Sequence, residues 1–564
     1  MTRGAFRALV VASSLILLTA APARAGEPVT EAVVVVVRGV SFSDAIQVPR
    51  LRQLASQQPT LAEPSGAALL VPQEPLDEQL ERLVRSPVGD QVVVVEHGGS
   101  VGTVGATIGR ATDDIQTEFV VVVGAAPSPA MSERKDAILP LVVGLSGNRW
   151  GSGNPRALTS DSTRRVGVVS SLDLVPTIED ALSFSPSLPG SPVEETDEGA
   201  PIALHQRYLQ MRRLSVPVQA AAWAGVLIAG LLLAALMFLR ARRPDRVPDA
   251  VVGRFRWLGL AVVPLVVGMY AAGHLSTLTY ATVVPFLAVV TIVGTAALVP
   301  LARRGAFAPI AALGAGVLVL ALVEAALGWS AALTPLVGGS QLDGGRFFGM
   351  PNVLIGVVIG AGGYAATRLS IRWGATVLVG AILLVGLPWT GANIGAAVAG
   401  SAALGLWVVL RLRGRLDLRG LAIVAGVTIA GTALLLAIHR FAPGTPTHGT
   451  RFAEGSLGGP LDVVADRLEV GFELLLASPA AWIPAVGPVV LAVLAARPTR
   501  SIAPAFWAEP LLRCLVLTLA LTGVVAYVVE DSGAGASGMF FALGLGALFY
   551  VSLPLAGSQD RASP

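Results

Sequence analysis

Hydrophobic positions fall into three regimes along the chain. A single apolar run over residues 8–21 opens it, brief β-branched runs occupy residues 33 to about 182, and beyond residue 216 long apolar segments alternate with arginine-rich turns. In the middle regime, near-continuous valine at 33–37, 92–95, 119–123, 139–143 and 166–169 shows no polar alternation, the pattern of strands buried on both faces. Helix-like stretches at 49–57, 76–85 and 174–182 lie between them, so this region predicts a compact α/β domain with a mainly parallel sheet. Residues 183–200 are rich in Ser, Pro and Glu and read as a linker, with 204–213 at the membrane surface.

After residue 216, about eleven segments are long enough to cross a hydrocarbon core of roughly 30 Å. They are approximately 217–239, 256–273, 277–300, 307–327, 350–367, 374–388, 393–410, 420–438, 480–496, 510–529 and 537–555. The predicted organisation is a signal peptide (1–25), an extracytoplasmic α/β domain (26–183), a linker and juxtamembrane segment (184–215), an all-α polytopic transmembrane domain (216–556) and a cytoplasmic tail (557–564).

Composition agrees with a membrane protein. The 564 residues are 53% hydrophobic and only 14% charged, too little charge to cover a soluble surface of this size. Net charge is +3 and Lys135 is the only lysine, so the basic character comes from arginine turns and implies no nucleic-acid partner. Cys514 stands alone, which excludes an intrachain disulfide and a cysteine-based metal cluster. At the start, Arg3 and Arg7 precede the first apolar run, and Ala23-Arg24-Ala25 offers small residues at cleavage positions. The leader is either removed after Ala25 or kept as an anchor; both place Gly26 onward outside.

The turns test the sidedness. If the first span runs from outside to inside, the cytoplasmic turns hold Arg240, Arg242, Arg243, Arg246, Arg254 and Arg256, then Arg303 and Arg304, Arg368 and Arg372, Arg411, Arg413, Arg415 and Arg419, and Arg497 and Arg500. The alternate turns hold only Arg346, Arg440, Arg451 and Arg467, the asymmetry expected when positive charge stays inside.

Residues 159–178, TSDSTRRVGVVSSLDLVPTI, resemble the late core segment of alkaline-phosphatase-like proteins, where a strand enters a helix through an Asp-x-x-Pro-Thr turn. Residues 33–40 (VVVVVRGV) resemble that family's first strand and turn, and 48–54 (VPRLRQL) its following helix, so the likeness covers roughly 30–183. It implies a reduced alkaline-phosphatase-like fold. Where the family carries a metal-binding aspartate after the first strand, this chain has Arg38, and His97, Asp44, Asp113 and Asp114 are the few other candidates. A pair of hydrolytic metal ions needs more ligands than these, so the domain is expected to be a degenerate, non-catalytic relative with no metal or other cofactor. Asp173 precedes Leu174-Val175-Pro176 and reads as a helix cap. Glu96-His97-Gly98-Gly99-Ser100 reads as a plain strand-to-loop turn.

In the membrane half, GGRFFGMPN (344–352), PWTGANIG (388–395), THGTRF (447–452) and EDSG (530–533) resemble segments of polytopic membrane proteins of high-GC Gram-positive (actinobacterial) type, a likeness that implies no activity. All four fall at outward ends of spans. Asp343, Arg346 and Asn352 precede the fifth span, Trp389 and Asn393 lie between the sixth and seventh, His439, Arg440, His448 and Arg451 fill the long loop, and Glu530 and Asp531 precede the last span. One reading gathers Asp343, Arg346, Asn352, Asn393 and Arg451 into an outer cavity for an anionic headgroup, with Asp531 or His448 as acid or base. The other is that outer loops are simply where polar residues belong. Glu324, late in the fourth span, is a candidate partner for a cavity arginine, and residues 461–476 form an amphipathic stretch expected on the membrane surface.

Three functions fit this pattern. The outer domain binds or scaffolds an envelope component or protein; the outer cavity hydrolyses or transfers a lipid-linked envelope substrate; or the bundle transports envelope precursors. Membrane lipids are partners in each.

Overall fold

The computed structural model describes residues 29–55, 66–71, 76–97, 103–110, 118–124, 138–145, 156–185, 190–196, 201–343, 349–442, 468–476, 481–530 and 533–556, apart from 30, 39, 46, 87, 104, 105, 108, 109, 470 and 474. The leader, the tail, Asp113 and Asp114 lie outside the described residues.

The valine runs form the sheet of an N-terminal head. Strands β1 (Glu31–Val37), β2 (Gly66–Val71), β3 (Val92–His97), β4 (Glu118–Gly124), β5 (Leu139–Leu145), β6 (Ala157–Ser160), β7 (Val168–Ser170) and β8 (Val193–Thr196) take the order β3-β1-β4-β5-β2-β6-β8, with β7 also pairing β2. Around β1 the pairing is parallel, Val35 opposite Val95 on one side and Val122 on the other. The sheet is mixed, however, because β5 runs antiparallel to both β4 and β2, and β8 antiparallel to β6. Valine content reports burial and not strand direction. The connector expected at 183–200 also contributes strand β8, whose Val193 pairs with Ser160.

Alternate β1 residues serve two layers. Val33, Val35 and Val37 face helices α1 (Phe42–Ala45) and α2 (Pro49–Leu54), while Val34 and Val36 face α3 (Leu76–Val84) and α4 (Leu174–Ala181). The first layer is completed by Tyr208, Met211 and Leu214, which lie on the helix that also begins the membrane domain. His205 packs edge-on against Phe42 at 5.4 Å and stacks with Tyr208 at 6.4 Å.

That helix, α5 (Pro201–Arg242), has 42 residues and is one element where a surface segment and a span were expected. At ~1.5 Å per residue it is ~63 Å long, about twice a hydrocarbon core, so its first turns cover the sheet and the rest continues along the bundle. The bundle adds α6 (Asp249–His274), α7 (Tyr280–Arg304), α8 (Phe307–Ala326), α9 (Asn352–Ala366), α10 (Ile371–Gly386), α11 (Ile394–Arg413), α12 (Leu418–Phe441), α13 (Trp482–Ala496), α14 (Pro510–Val529) and α15 (Ala534–Leu555). Each of the eleven expected segments coincides with a helix, and eight are long and apolar enough to cross a membrane. The other three, α9, α10 and α13, have 15 or 16 residues. At ~1.5 Å per residue they reach ~22–24 Å, short of a ~30 Å core.

Helix α9 is buried on nearly all sides between α8, α10 and α15, whereas α5, α7 and α12 are peripheral. Because α9 and α10 are short, residues 327–343, 349–351 and 387–393 complete the head-proximal end without α-helix. Irregular backbone at such depth is tolerated where protein surrounds it. Here protein surrounds it, as the hydrogen bonds of Trp329, Gln341 and Met350 show.

The far end is simpler. Arginines there donate to the last carbonyls of neighbouring helices: Arg368 to Arg304 O at 2.8 Å, Arg411 to Leu369 O at 3.3 Å, Arg513 to Ala495 O at 3.0 Å and Arg240 to Ala556 O at 3.2 Å. Cations at helix C-termini satisfy orphan carbonyls and oppose the helix dipole.

Candidate functional site

The head-proximal end is knitted by hydrogen bonds between segments far apart in sequence. Pro351 holds an extended conformation (φ −59°, ψ 142°) and starts α9 at Asn352. Asn393 caps α11 by accepting from Ala396 N at 3.0 Å, and its amide donates to Asn352 Oδ1 at 2.8 Å. Asn393 is fully buried, so this pair is the route by which its amide avoids an unmet hydrogen bond. Beside it, the carboxylate of Glu530 fills the space where a Cβ on Gly395 would stand, and Glu530 is also buried. A carboxylate at the first turn of a helix meets the positive end of the dipole. Three of the four polar motifs therefore meet at one place, through Asn352, Asn393, Gly395 and Glu530.

The irregular segments supply the scaffold. Met350 N donates to Gly391 O at 3.0 Å, and Gly349 (φ +92°) is so close that any Cβ would collide with that carbonyl. Gln341 Nε2 donates to Gly349 O at 2.7 Å, and Trp329 Nε1 donates to Thr390 O at 2.9 Å. Trp329 is buried and left-handed (φ +61°), an unusual backbone for a bulky residue and one held by packing on all sides.

Among the described residues, Arg165 ties the head to this network. Arg165, in the turn between β6 and β7, donates to Gln341 Oε1 at 2.7 Å and to Trp329 O at 3.1 Å. Burial pulls its guanidinium down to about 10, partly offset by the nearby Tyr270 and Glu324, so it remains charged at neutral pH. On α5, Arg207 donates to Gly273 O and to Thr334 Oγ1, the latter at 3.2 Å, which pins the same junction from another side.

Of the residues expected to line a cavity, Asn352 and Asn393 come together. Asp343 ends the 3-10 turn Gln341–Asp343, next to Gln341; its side chain, and Arg346, His448, Arg451 and Asp531 entirely, lie outside the described residues. Glu324 accepts from Tyr270 Oη at 3.0 Å and pairs with His274, and it acts electrostatically on Arg165 of the head; the cavity arginines Arg346 and Arg451 lie outside the described residues. His439 bonds the Gly386 carbonyl at 2.7 Å and is buried, so it holds α12 to α10 and does not project from a loop. Of the amphipathic stretch, Leu468, Phe472 and Leu476 are described; they are exposed at helical spacing, and Tyr527 ties the segment down through Gly471 O at 3.2 Å. Arg165, Gln341 and Trp329 were not singled out from sequence. The available signal was Arg164-Arg165 beside a buried strand.

At the C-terminal ends of β1 and β3, Arg38 follows β1 and its guanidinium bonds Asp77 and Glu96, each at 3.2 Å. These bonds hold it charged, above the ordinary arginine range. Asp44 accepts from Ser41 Oγ at 2.9 Å, and His97 contacts Thr107 Oγ1 at 2.9 Å and Thr103 Oγ1 at 3.3 Å. Asp173 is fully buried and accepts from Ser160 Oγ (2.7 Å), Ser170 N (3.0 Å) and Ser191 N (3.1 Å). It closes the capping box of the turn Ser171–Asp173 instead of capping α4 itself. Burial raises its carboxyl above the usual range despite these bonds. Among the described residues, no group of three or more His, Cys, Asp or Glu is placed to hold a metal ion.

No family model, curated protein or solved structure matches the chain. The junction's geometry therefore carries the functional argument.

Proposed function

We propose that this chain is a multi-pass protein of a bacterial cell membrane that binds an envelope component where its head meets its helices, as a scaffold and not as a hydrolase. The head and the head-proximal helix ends lie outside the cytoplasm and the C-terminus inside. Support for that orientation comes from the arginines, which crowd the far end of the bundle. The head is read as a degenerate relative of alkaline phosphatases. In support, Arg38 engages Asp77 and Glu96 at the strand end where that family binds metal, and Asp173 is engaged in structural bonds.

One observation carries the scaffold reading. Arg165 is buried in the bundle's own hydrogen-bond network, so the head is fixed on the polar ends of the helices and shares a surface with them. A tethered catalytic domain has no need of such a bond.

A second reading is a hydrolase or transferase acting on a lipid-linked substrate at the polar end. The convergence of Asn352, Asn393 and Glu530 favours it, with Asp343, Arg346, Arg451, His448 and Asp531 as the neighbouring groups that would bind the headgroup and move protons. Complementation of a deletion strain separates the two. Arg165→Gln should abolish complementation while the protein remains in the membrane at normal level, and Glu530→Gln with Asp531→Asn should retain it. Full complementation by Arg165→Gln together with loss in the acidic double variant would replace the scaffold reading with the enzymatic one.

A further inference from the structure

Helix α5 is buried at its two ends and only partly covered between them, where Ala222, Trp223 and Val226 touch the core. Toward the head, Tyr208, Met211, Leu214 and Val218 are buried, and Gln210 Oε1 accepts from Leu278 N at 2.9 Å. At the far end, Leu233, Met237 and Arg240 are buried, with Arg240 bonding Ala556 O and Asp249. Between Val218 and Leu233 no residue of α5 is buried. These 14 positions span ~21 Å at ~1.5 Å per residue, most of a hydrocarbon core.

The gap is a groove of about 1040 Å³, walled by α5 and α6 on one side and α13 on the other, with Phe541 and Leu545 of α15 in its floor. Its head-proximal end reaches Val353 and Ala534, neighbours in sequence of Asn352 and of the Glu530-Asp531 pair. The lining is almost wholly apolar. Pro217 sits two residues before Gln219, the first groove-lining residue of α5, and it removes the N–H that would otherwise bond the Arg213 carbonyl.

Within a bilayer, such a gap takes hydrocarbon, because an unfilled apolar void forfeits dispersion contacts on its whole lining. Charge identifies the kind of lipid. Arg212 and Arg213 stand on α5 six to seven residues above Gln219 at the groove's head-proximal end, a rise of ~10 Å, which is headgroup level.

We propose that this groove is a binding site for one anionic phospholipid, its chains lying along α5 and its phosphate at the level of Arg212 and Arg213. The site rests on the bundle lying in a bilayer and is independent of what the head binds.

Native mass spectrometry of the full chain from nanodiscs of phosphatidylglycerol and phosphatidylcholine with identical chains tests it. Retention of phosphatidylglycerol should exceed that of phosphatidylcholine at least tenfold. Gly225→Leu with Gly230→Leu should lower it at least tenfold without lowering Tm, since a Cβ at either glycine meets nothing within 4 Å and leucine favours helix. Arg212→Gln with Arg213→Gln should erase the preference between the lipids. A second measurement needs no groove-filling variant: phosphatidylglycerol with brominated chains should quench Trp223, which lines the groove, as read by difference against Trp223→Phe. Equal retention of both lipids, undiminished retention in the double-leucine variant, or absence of Trp223 quenching would each overturn the proposal. Complementation failure by Arg165→Gln with lipid retention intact would show the two proposals to be separable.

Discussion

The two ends of the helical bundle solve the same problem by different means. At the far end, short turns leave helix C-termini exposed, and arginines satisfy the carbonyls from solvent. At the head-proximal end, two helices stop short and irregular backbone is satisfied internally, by Asn393, Gln341, Trp329 and Arg165. The first arrangement tolerates change because water can replace each partner. The second does not, because a lost partner leaves a buried polar group unmet at a cost of about 1–3 kcal/mol. The contrast separates an end whose carbonyls meet arginines near solvent from an end built around a fixed buried constellation.

The same substitution at one glycine from each end should give the widest separation. Gly349 and Gly414 are both left-handed, at φ +92° and φ +66°. An added Cβ at Gly349 collides with the Gly391 carbonyl, while one at Gly414 meets nothing within 4 Å. Gly349→Ala should cost at least about 3 kcal/mol and largely abolish recovery of folded protein. Gly414→Ala should cost about 1 kcal/mol, the left-handed penalty alone. Thermal melts of the detergent-solubilised chain measure both; equal shifts would mean that the head-proximal end is not rigid.

Arginines provide the next separation. Arg165→Gln removes two charge-assisted bonds from Gln341 and the Trp329 carbonyl in a buried site and should cost about 2 kcal/mol, too little to deplete the protein from the membrane. Arg368→Gln removes one exposed bond to Arg304 O and should cost under about 1 kcal/mol. Limited proteolysis in membranes sharpens the comparison: only Arg165→Gln should expose the connection between β6 and β7 to cleavage.

What was legible in the sequence follows the same division. Long apolar runs with arginine turns located the eleven helices α5 to α15, and valine runs located five strands, because both signals are local. Strand β2 was missed since Gly-Ala-Ala-Leu-Leu-Val suits helix as well as strand. The direction of β5 was missed because no residue encodes it. At the junction, Asn352 and Asn393 were legible as polar residues at helix ends. Arg165 was not, because its partners lie 164 and 176 residues away and nothing near it in sequence marks them. The partners of Glu324 were not legible for the same reason; Tyr270 and His274 approach it through the packing of α6 on α8.

Helix caps test a finer point, whether burial or the cap itself matters. Asn393 caps α11 and is fully buried; Asp417 caps α12 by accepting from Gly420 N at 2.8 Å, with Arg413 beside it at 2.8 Å, at the far end. Asn393→Ala should cost about 2 kcal/mol, the upper part of the range for caps, because Asn352 also loses its partner.

The smallest effect expected is at Asp417, and it is one that pH can read. Its bond from Gly420 N–H, followed by the Arg413 and Arg415 charges, holds its carboxyl below the ordinary value of 3.8. A carboxyl lowered on folding adds stability above its unfolded value, and that contribution is lost as pH falls through the lowered folded value. Asp417→Asn should therefore lower Tm slightly at pH 7, with the difference from wild type closing as pH falls below about 4. Asn393→Ala carries no titrating group, so its deficit should stay constant over the same range. A constant deficit at Asp417, or a closing one at Asn393, would mean that the two caps do not differ in the way their surroundings require.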